Sequence, residues 1–214
     1  ASGLTAAFAV AGLSAWRLLK VARGAGARKT LRSGIVGAAG LAPVQAFVGD
    51  QHGLNTHKHH PAKIAAIEAL WHTERGAPLV LFAVPNAVEH RNDYAVEIPY
   101  GASVFLTHSL RGEVRGLNEF GADIPPVVPV FFAFRVMVGM GVLMIALSWL
   151  GAWMTRRGRY PPQWTLWIFA AFTFAGWIAT LAGWIVTEMG RQPWLVTGVL
   201  RTDDAVGEIT GAQL

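Results

Sequence analysis

Three side chains in apolar helices offer either a charge or a donor for a metal ion. They are Arg135 and Met137 within FFAFRVMVGMG (Phe131 to Gly141), and Glu188 within GWIVTEMGRQPW (Gly183 to Trp194). Ionisable groups at membrane depth are costly to hold, so by default they mark ligands, counter-charges or proton paths. A methionine thioether is a soft donor that can hold haem iron opposite a histidine, although a Met in an apolar helix also serves as plain packing. Arg135 needs an anionic partner, and haem propionates would serve. Two residues on a helix project roughly 200° apart, so Arg135 and Met137 cannot share one face. Trp184 lies one turn before Glu188, and Arg191 lies three residues after it. The three form one stripe if the helix continues that far, and Gly190 and Pro193 place its end near there. Glu188 reads either as an ion pair with Arg191 closing the helix, or as a carboxylate ligand or proton acceptor held by its arginine.

A second pair, Lys63 and Glu68, lies in PAKIAAIEALWH (Pro61 to His72). The pattern predicts an amphipathic helix, with Pro61 acceptable in its first turn and Ile64, Ile67 and Trp71 forming an apolar stripe. Five residues turn a helix by about 140°, so Lys63 and Glu68 flank one edge instead of pairing. Hydrogen-bonding and proton-accepting groups beside an apolar stripe suit a quinol head group. The plainer reading is two solvated charges. Among the seven histidines, His57, His59 and His60 are interrupted by Pro61, and no His pair stands at i, i+4 with an acid beside it. A dedicated metal site there is not expected.

The elements that must position these groups are membrane helices. The 214 residues are 53% hydrophobic and 14% charged, against about 25% charged in soluble domains, and the mean hydropathy is +0.38. The net charge of +5 sits in short tracts beside apolar runs, which is membrane topology and not a nucleic-acid stripe. With no cysteine, disulfides, zinc fingers and thiolate haem ligation are excluded. Four stretches approach the roughly 20 residues of a spanning helix: Ala1 to about Leu19, about Ser33 to Val48, Val127 to Trp153, and Trp164 to Val186. Lys20, Arg23, Arg28, Lys29 and Arg32 join the first two, and Arg156, Arg157 and Arg159 join the last two, with no acid in either connector. Basic connectors belong in the cytoplasm. The long loop and the tail then face outward, into a bacterial periplasm.

The expected organisation is therefore all-α and integral to the membrane, with four helices of a larger bundle and a long structured periplasmic loop. Residues 1–49 hold two helices and their cytoplasmic connector, and 50–124 the loop. Residues 125–194 hold two further helices, and 195–214 an outward tail. Within the loop, Leu79 to Ala83 and Tyr94 to Ile98 read as short β-like runs separated by Pro85, Asn86 and Asn92. The chain opens on Ala1 inside an apolar run, with no signal peptide visible, which points to a piece of something longer.

Four stretches, in order, resemble subunit I of the cytochrome bd-type ubiquinol oxidases, including their cyanide-insensitive branch. They are GDQHG around Asp50, PAKIAAIEALWHTERGAP, FFAFRVMVGMG and GWIVTEMGRQPW, the last being the most specific. The resemblance implies a terminal oxidase of the bacterial inner membrane with low-spin haem b558, high-spin haem b595 and haem d. It implies that ubiquinol is oxidised at the outer face and O2 reduced to water, giving a proton-motive force without pumping. It makes Met137 the methionine ligand of the low-spin haem b iron and Arg135 a stabiliser of that haem when reduced. Glu188 becomes the ligand of the high-spin haem b iron, with Trp184 and Arg191 beside it in the cofactor and catalytic region. Lys63 and Glu68 become quinol-binding residues. A second oxidase subunit, and in some members a small accessory subunit, are the implied partners.

Two features depart from the family pattern. His60 stands where many relatives have Gln, and the loop resembles the shorter form without an extra insertion. By the same resemblance the two histidine ligands lie upstream of Ala1 and further helices follow the tail. The piece alone is then not expected to hold a full haem set or to turn over. Two other readings compete: a membrane transporter module using Glu188 and Arg191 as a proton relay, and a haem or quinone electron carrier that never reduces oxygen.

Overall fold

The structure is a computed structural model that describes residues 2–20, 24–121, 123–196 and 198–205. Ala1, Arg23 and residues 206–214 of the expected tail lie outside the described residues. The chain divides into two compact units, one of residues 1–50 with 136–182 and the other of 51–135 with 183–214. Each unit is discontinuous because the long helices run from one into the other.

The first unit is helical. It contains α1 (Ser2–Lys20), most of α2 (Ala25–His59), much of α5 (Val127–Met154), and α6 (Gln163–Ala171) with the start of α7 (Ala175–Met189). A single 3-10 turn, Phe172–Phe174, joins α6 to α7 into one stretch from Gln163 to Met189. α1, α2, α5 and this stretch are each long and apolar enough to cross a membrane, so the four expected helices are present. In α1, Leu4, Phe8, Ala11, Ala15 and Leu18 recur at helical spacing, and all are buried. They pack with Leu31 and Ile35 of α2, Met144 of α5, and Leu166 and Phe169 of α6.

Membrane helices gain no hydrophobic drive toward one another, so close backbone approach at small residues has to supply the packing. Gly12 is such a residue. A Cβ there would stand 2.1 Å from Thr173 Oγ1 and 2.8 Å from the Phe169 carbonyl. Gly34 plays the same part on α2, where a Cβ would meet the Ala11 amide nitrogen at 2.9 Å. At the basic end of this unit the two connectors converge. Arg28 stacks over the Tyr160 ring at 5.0 Å, and a cavity of about 180 Å³ is lined by Arg28, Lys29, Arg32 and Arg159.

The second unit holds the loop. After α2 come α3 (Pro61–Glu68), β1 (Glu74–Arg75), a hairpin of β2 (Leu79–Asn86) and β3 (Arg91–Ile98), α4 (Gly101–Thr107) and β4 (Glu113–Val114). Past α7 the chain adds β5 (Trp194–Val196), β6 (Leu200–Arg201) and the short α8 (Thr202–Ala205). β1 pairs with β4, β2 with β3 and β5 with β6, all antiparallel. Ile64, Ile67, Leu70 and Trp71 share the core with Val80 of β2, Val130 and Phe131 of α5, and Val186 of α7.

Several boundaries differ from expectation. The second apolar stretch ends near Val48, yet α2 continues to His59 through a polar segment. Side chains there bond back to the preceding turn: Thr56 Oγ1 donates to the His52 carbonyl at 2.9 Å, and the His59 ring meets the Asn55 carbonyl at 2.9 Å. The loop helix, in contrast, stops at Glu68, four residues short of His72. Ala69 takes a left-handed conformation (φ 49°), and the Leu70 amide closes onto the Ala65 carbonyl at 2.9 Å, a helix-ending geometry. Trp71 thereby lies beyond the helix, although it joins the same core as Ile64 and Ile67. Its Nε1 donates to Asn92 Oδ1 at 3.0 Å, and Asn92 Nδ2 donates to the Ala69 carbonyl at 3.0 Å. Pro85, Asn86 and Asn92, expected to separate two short runs, instead lie inside the paired strands.

Candidate functional site

Arg135 projects from α5 into the core of the second unit. Its Nη2 donates to Glu68 Oε2 at 3.2 Å, its Nε to the Val80 carbonyl at 3.2 Å, and its Nη1 to the Ile67 carbonyl. The guanidinium carbon lies 3.6 Å from the centroid of the Phe131 ring, one turn earlier on the same helix. A guanidinium offers donors in a rigid planar fork, and here the fork is filled by acceptors from α3 and β2. The anionic partner that Arg135 required is therefore present in this chain, and it is Glu68.

This corrects the expectation for Glu68 itself. Read as one flank of an exposed helix edge, it is instead only 4% exposed. The small Ala65 and Ala66 let neighbours close over α3, so every residue from Ile64 to Glu68 is buried. Burial pushes the Glu68 carboxyl above the usual carboxylate range, while Arg135 pulls it back down.

Lys63 points the other way, to the end of α7. Its Nζ donates to the Thr187 carbonyl at 3.5 Å, one of the terminal carbonyls that helices leave unpaired and that a cation complements. Gly190 makes room for the lysine stem, since a Cβ there would lie 2.9 Å from Lys63 Cε. Burial lowers the Lys63 pKa, Arg191 lowers it further, and Glu188 acts in the opposite sense. His60 is lowered too, first by burial and then by the charges of Lys63, His59 and Arg191. These groups surround a cavity of about 340 Å³ lined by His60, Lys63, Asp123, Arg191, Gln192 and Trp194, among others. Asp123 is paired with Arg201 at 3.0 Å, so the remaining cations give this cavity its character.

Glu188 lies on the last turn of α7 and is exposed. α7 ends at Met189, so Arg191 falls in the following turn and the expected three-residue stripe stops at Glu188. Among the described residues no ion pair within 4 Å joins Glu188 to Arg191. Trp184, one turn before Glu188, is 63% exposed. A carboxylate and an indole thus stand together on an open helix face. Met137 is half-buried on α5, two residues past Arg135.

The family model for cytochrome bd terminal oxidase subunit I matches residues 1–214. The chain belongs to that family. It is 34% identical to cytochrome bd ubiquinol oxidase subunit 1 of Bacillus subtilis over 94% of its length, and 28% identical to cytochrome bd-II ubiquinol oxidase subunit 1 of Escherichia coli over 99%. These matches cover 46% and 54% of the two relatives, so the chain spans about half their length. The match to the E. coli protein runs over 282 positions, so that relative carries residues with no counterpart in this chain. Among solved structures, the bd oxidase from Geobacillus thermodenitrificans superposes with a TM-score of 0.84 at 31% identity, covering 92% of this chain and 46% of that one. The mostly helical membrane fold of the bd oxidase subunit I family is therefore the fold of this chain.

Two features of the site were not read from the sequence. The carbonyls of Ile67 and Val80 as Arg135 acceptors carry no side-chain signal. The fit of Gly190 against Lys63 depends on a contact 127 positions apart. Phe131 beneath Arg135 was readable, because aromatic and arginine stand at i, i+4.

Proposed function

We propose that this chain is the portion of a respiratory quinol oxidase subunit that receives quinol and carries the non-histidine ligands of two b-type haems. The full protein would oxidise ubiquinol on the periplasmic side of a bacterial inner membrane and reduce O2 to water, together with a second subunit and, in some complexes, a small accessory one. The observation that carries this reading is the arrangement of ionisable groups on the membrane helices. Arg135 sits two residues from Met137 on α5, and Glu188 is exposed on the last turn of α7 with Trp184 on the same face.

The residues suit haem. Met137 offers a soft thioether from an apolar helix, the donor type that pairs with histidine on a low-spin iron. Glu188 offers a carboxylate with no cation within ion-pair distance among the described residues, and Trp184 offers a flat apolar surface beside it. When bound, b- and d-type haems would carry electrons from quinol to oxygen and bring about its reduction. What this chain would do is hold and orient. Lys63, at the cationic cavity, donates toward an incoming quinol oxygen, and Glu68 supports that step from the far end of α3, where it faces Arg135. Arg191 keeps positive charge beside Glu188. The convergence of the basic connectors at one end of the first unit supports a cytoplasmic location for them. The loop and tail would then be periplasmic, so that protons from quinol leave on that side and no pump is needed.

The test is oxygen uptake driven by a soluble quinol in membranes containing the full-length subunit with its partner. Activity with haem b and haem d bands in the reduced spectrum is expected. Haem bands without quinol-driven oxygen uptake would favour a plain electron carrier, and neither would contradict the proposal.

A further inference from the structure

We propose that Glu68 is a positioning residue for Arg135 and does not itself contact quinol, so that the two ionisable residues of α3 have different jobs. This inference rests on the function proposed above and divides its labour. Lys63 reaches the cavity at the end of α7, whereas the Glu68 carboxylate faces the core and meets Arg135 at 3.2 Å. The guanidinium is also bonded to the Val80 and Ile67 carbonyls and lies against Phe131. Arg135 is therefore held from three directions by the loop, and the loop is latched to α5 by Arg135. At 4% exposure, Glu68 has little surface to offer a quinol head group unless this latch opens.

The arrangement has a charge consequence. Glu68 is the anion paired with Arg135 among the described residues. With Glu68 neutralised, the positive charge of Arg135 would go uncompensated two residues from Met137, and a redox group held by Met137 would become easier to reduce. With Arg135 neutralised, the same group would become harder to reduce. Loosened packing alone would not produce shifts of opposite sign.

The experiment uses the full-length oxidase purified with its haems, as wild type and as Glu68→Gln, Glu68→Asp, Arg135→Gln and Lys63→Gln. Redox titration of the low-spin haem b should show the reduced-to-oxidised ratio at fixed potential rising about tenfold in Glu68→Gln and falling about as much in Arg135→Gln. Glu68→Asp should restore the wild-type ratio. The KM for quinol should stay within about twofold in Glu68→Gln while kcat changes, and should rise in Lys63→Gln. Trypsin should cut at the exposed Arg75, Arg91 and Arg111 faster in both Glu68→Gln and Arg135→Gln. A many-fold rise in KM for Glu68→Gln, with the haem titration and tryptic rate unmoved, would overturn the proposal and return Glu68 to the quinol. If wild type shows no low-spin haem b, the proposed function fails. The tryptic comparison still decides the latch, since equal rates in variant and wild type overturn it.

Discussion

The core around Arg135 and the end of α7 both hold a carboxylate and basic residues, and they treat them oppositely. In the first, Glu68 and Arg135 are buried face to face, and the remaining guanidinium donors end on backbone carbonyls. In the second, Glu188 stands exposed on its helix while Lys63 donates to the Thr187 carbonyl and Arg191 lies in the next turn. Removing one member of a buried pair leaves an uncompensated charge in low dielectric, so such a pair is expensive to break. An exposed carboxylate outside any close ion pair costs the fold little to lose. The first region ties the loop to a membrane helix, and the second keeps its chemistry available to something outside the chain.

That contrast can be broken most severely at Arg135. Arg135→Leu should lower stability by about 3–5 kcal/mol, read as a drop in the thermal melting temperature in detergent. A change under about 1 kcal/mol would mean that the pair is not a structural tie. Trp71→Phe, which deletes the indole bond to Asn92, should cost about 1 kcal/mol and should quicken hydrogen exchange in the β2–β3 hairpin before it affects α5. Lys63→Met should cost about 0.3–1 kcal/mol as the cation at the α7 terminus is lost, a smaller change than its effect on quinol oxidation. Glu188→Gln should move the melting temperature least, within about 0.5 kcal/mol. The same substitution should remove the high-spin haem b signal from the spectrum of the full-length complex. A large melting shift with the spectrum intact would place Glu188 among the structural residues instead.

The membrane helices were legible because an apolar run of sufficient length has few alternatives to spanning a bilayer. The extension of α2 was not. Residues 50–59 carry no apolar period, and their helix is supported by Thr56 and His59 bonding back one turn. The early stop of α3 was hidden for the opposite reason. Ile64, Ile67 and Trp71 keep helical spacing, yet Ala69 turns left-handed and Asn92, far along the chain, takes up both its carbonyl and the Trp71 indole. At the site, residue types at membrane depth singled out Arg135, Met137 and Glu188 as groups needing an explanation. The partner of Arg135 was not visible because Glu68 is separated from it by 67 positions and four strands. Glu68 also looks like a surface residue when only its own helix is considered. Spacing along one element gives directions around that element, and says nothing of what another element brings to meet them.

The central claim is that these helices present haem ligands, and Met137 tests it most directly. In the full-length oxidase, Met137→Leu keeps the volume and apolar character of the side chain and removes only the thioether. The reduced-minus-oxidised spectrum should then lose or shift the low-spin haem b band while the haem d band persists. A spectrum identical to wild type would contradict the assignment of Met137 as an iron ligand.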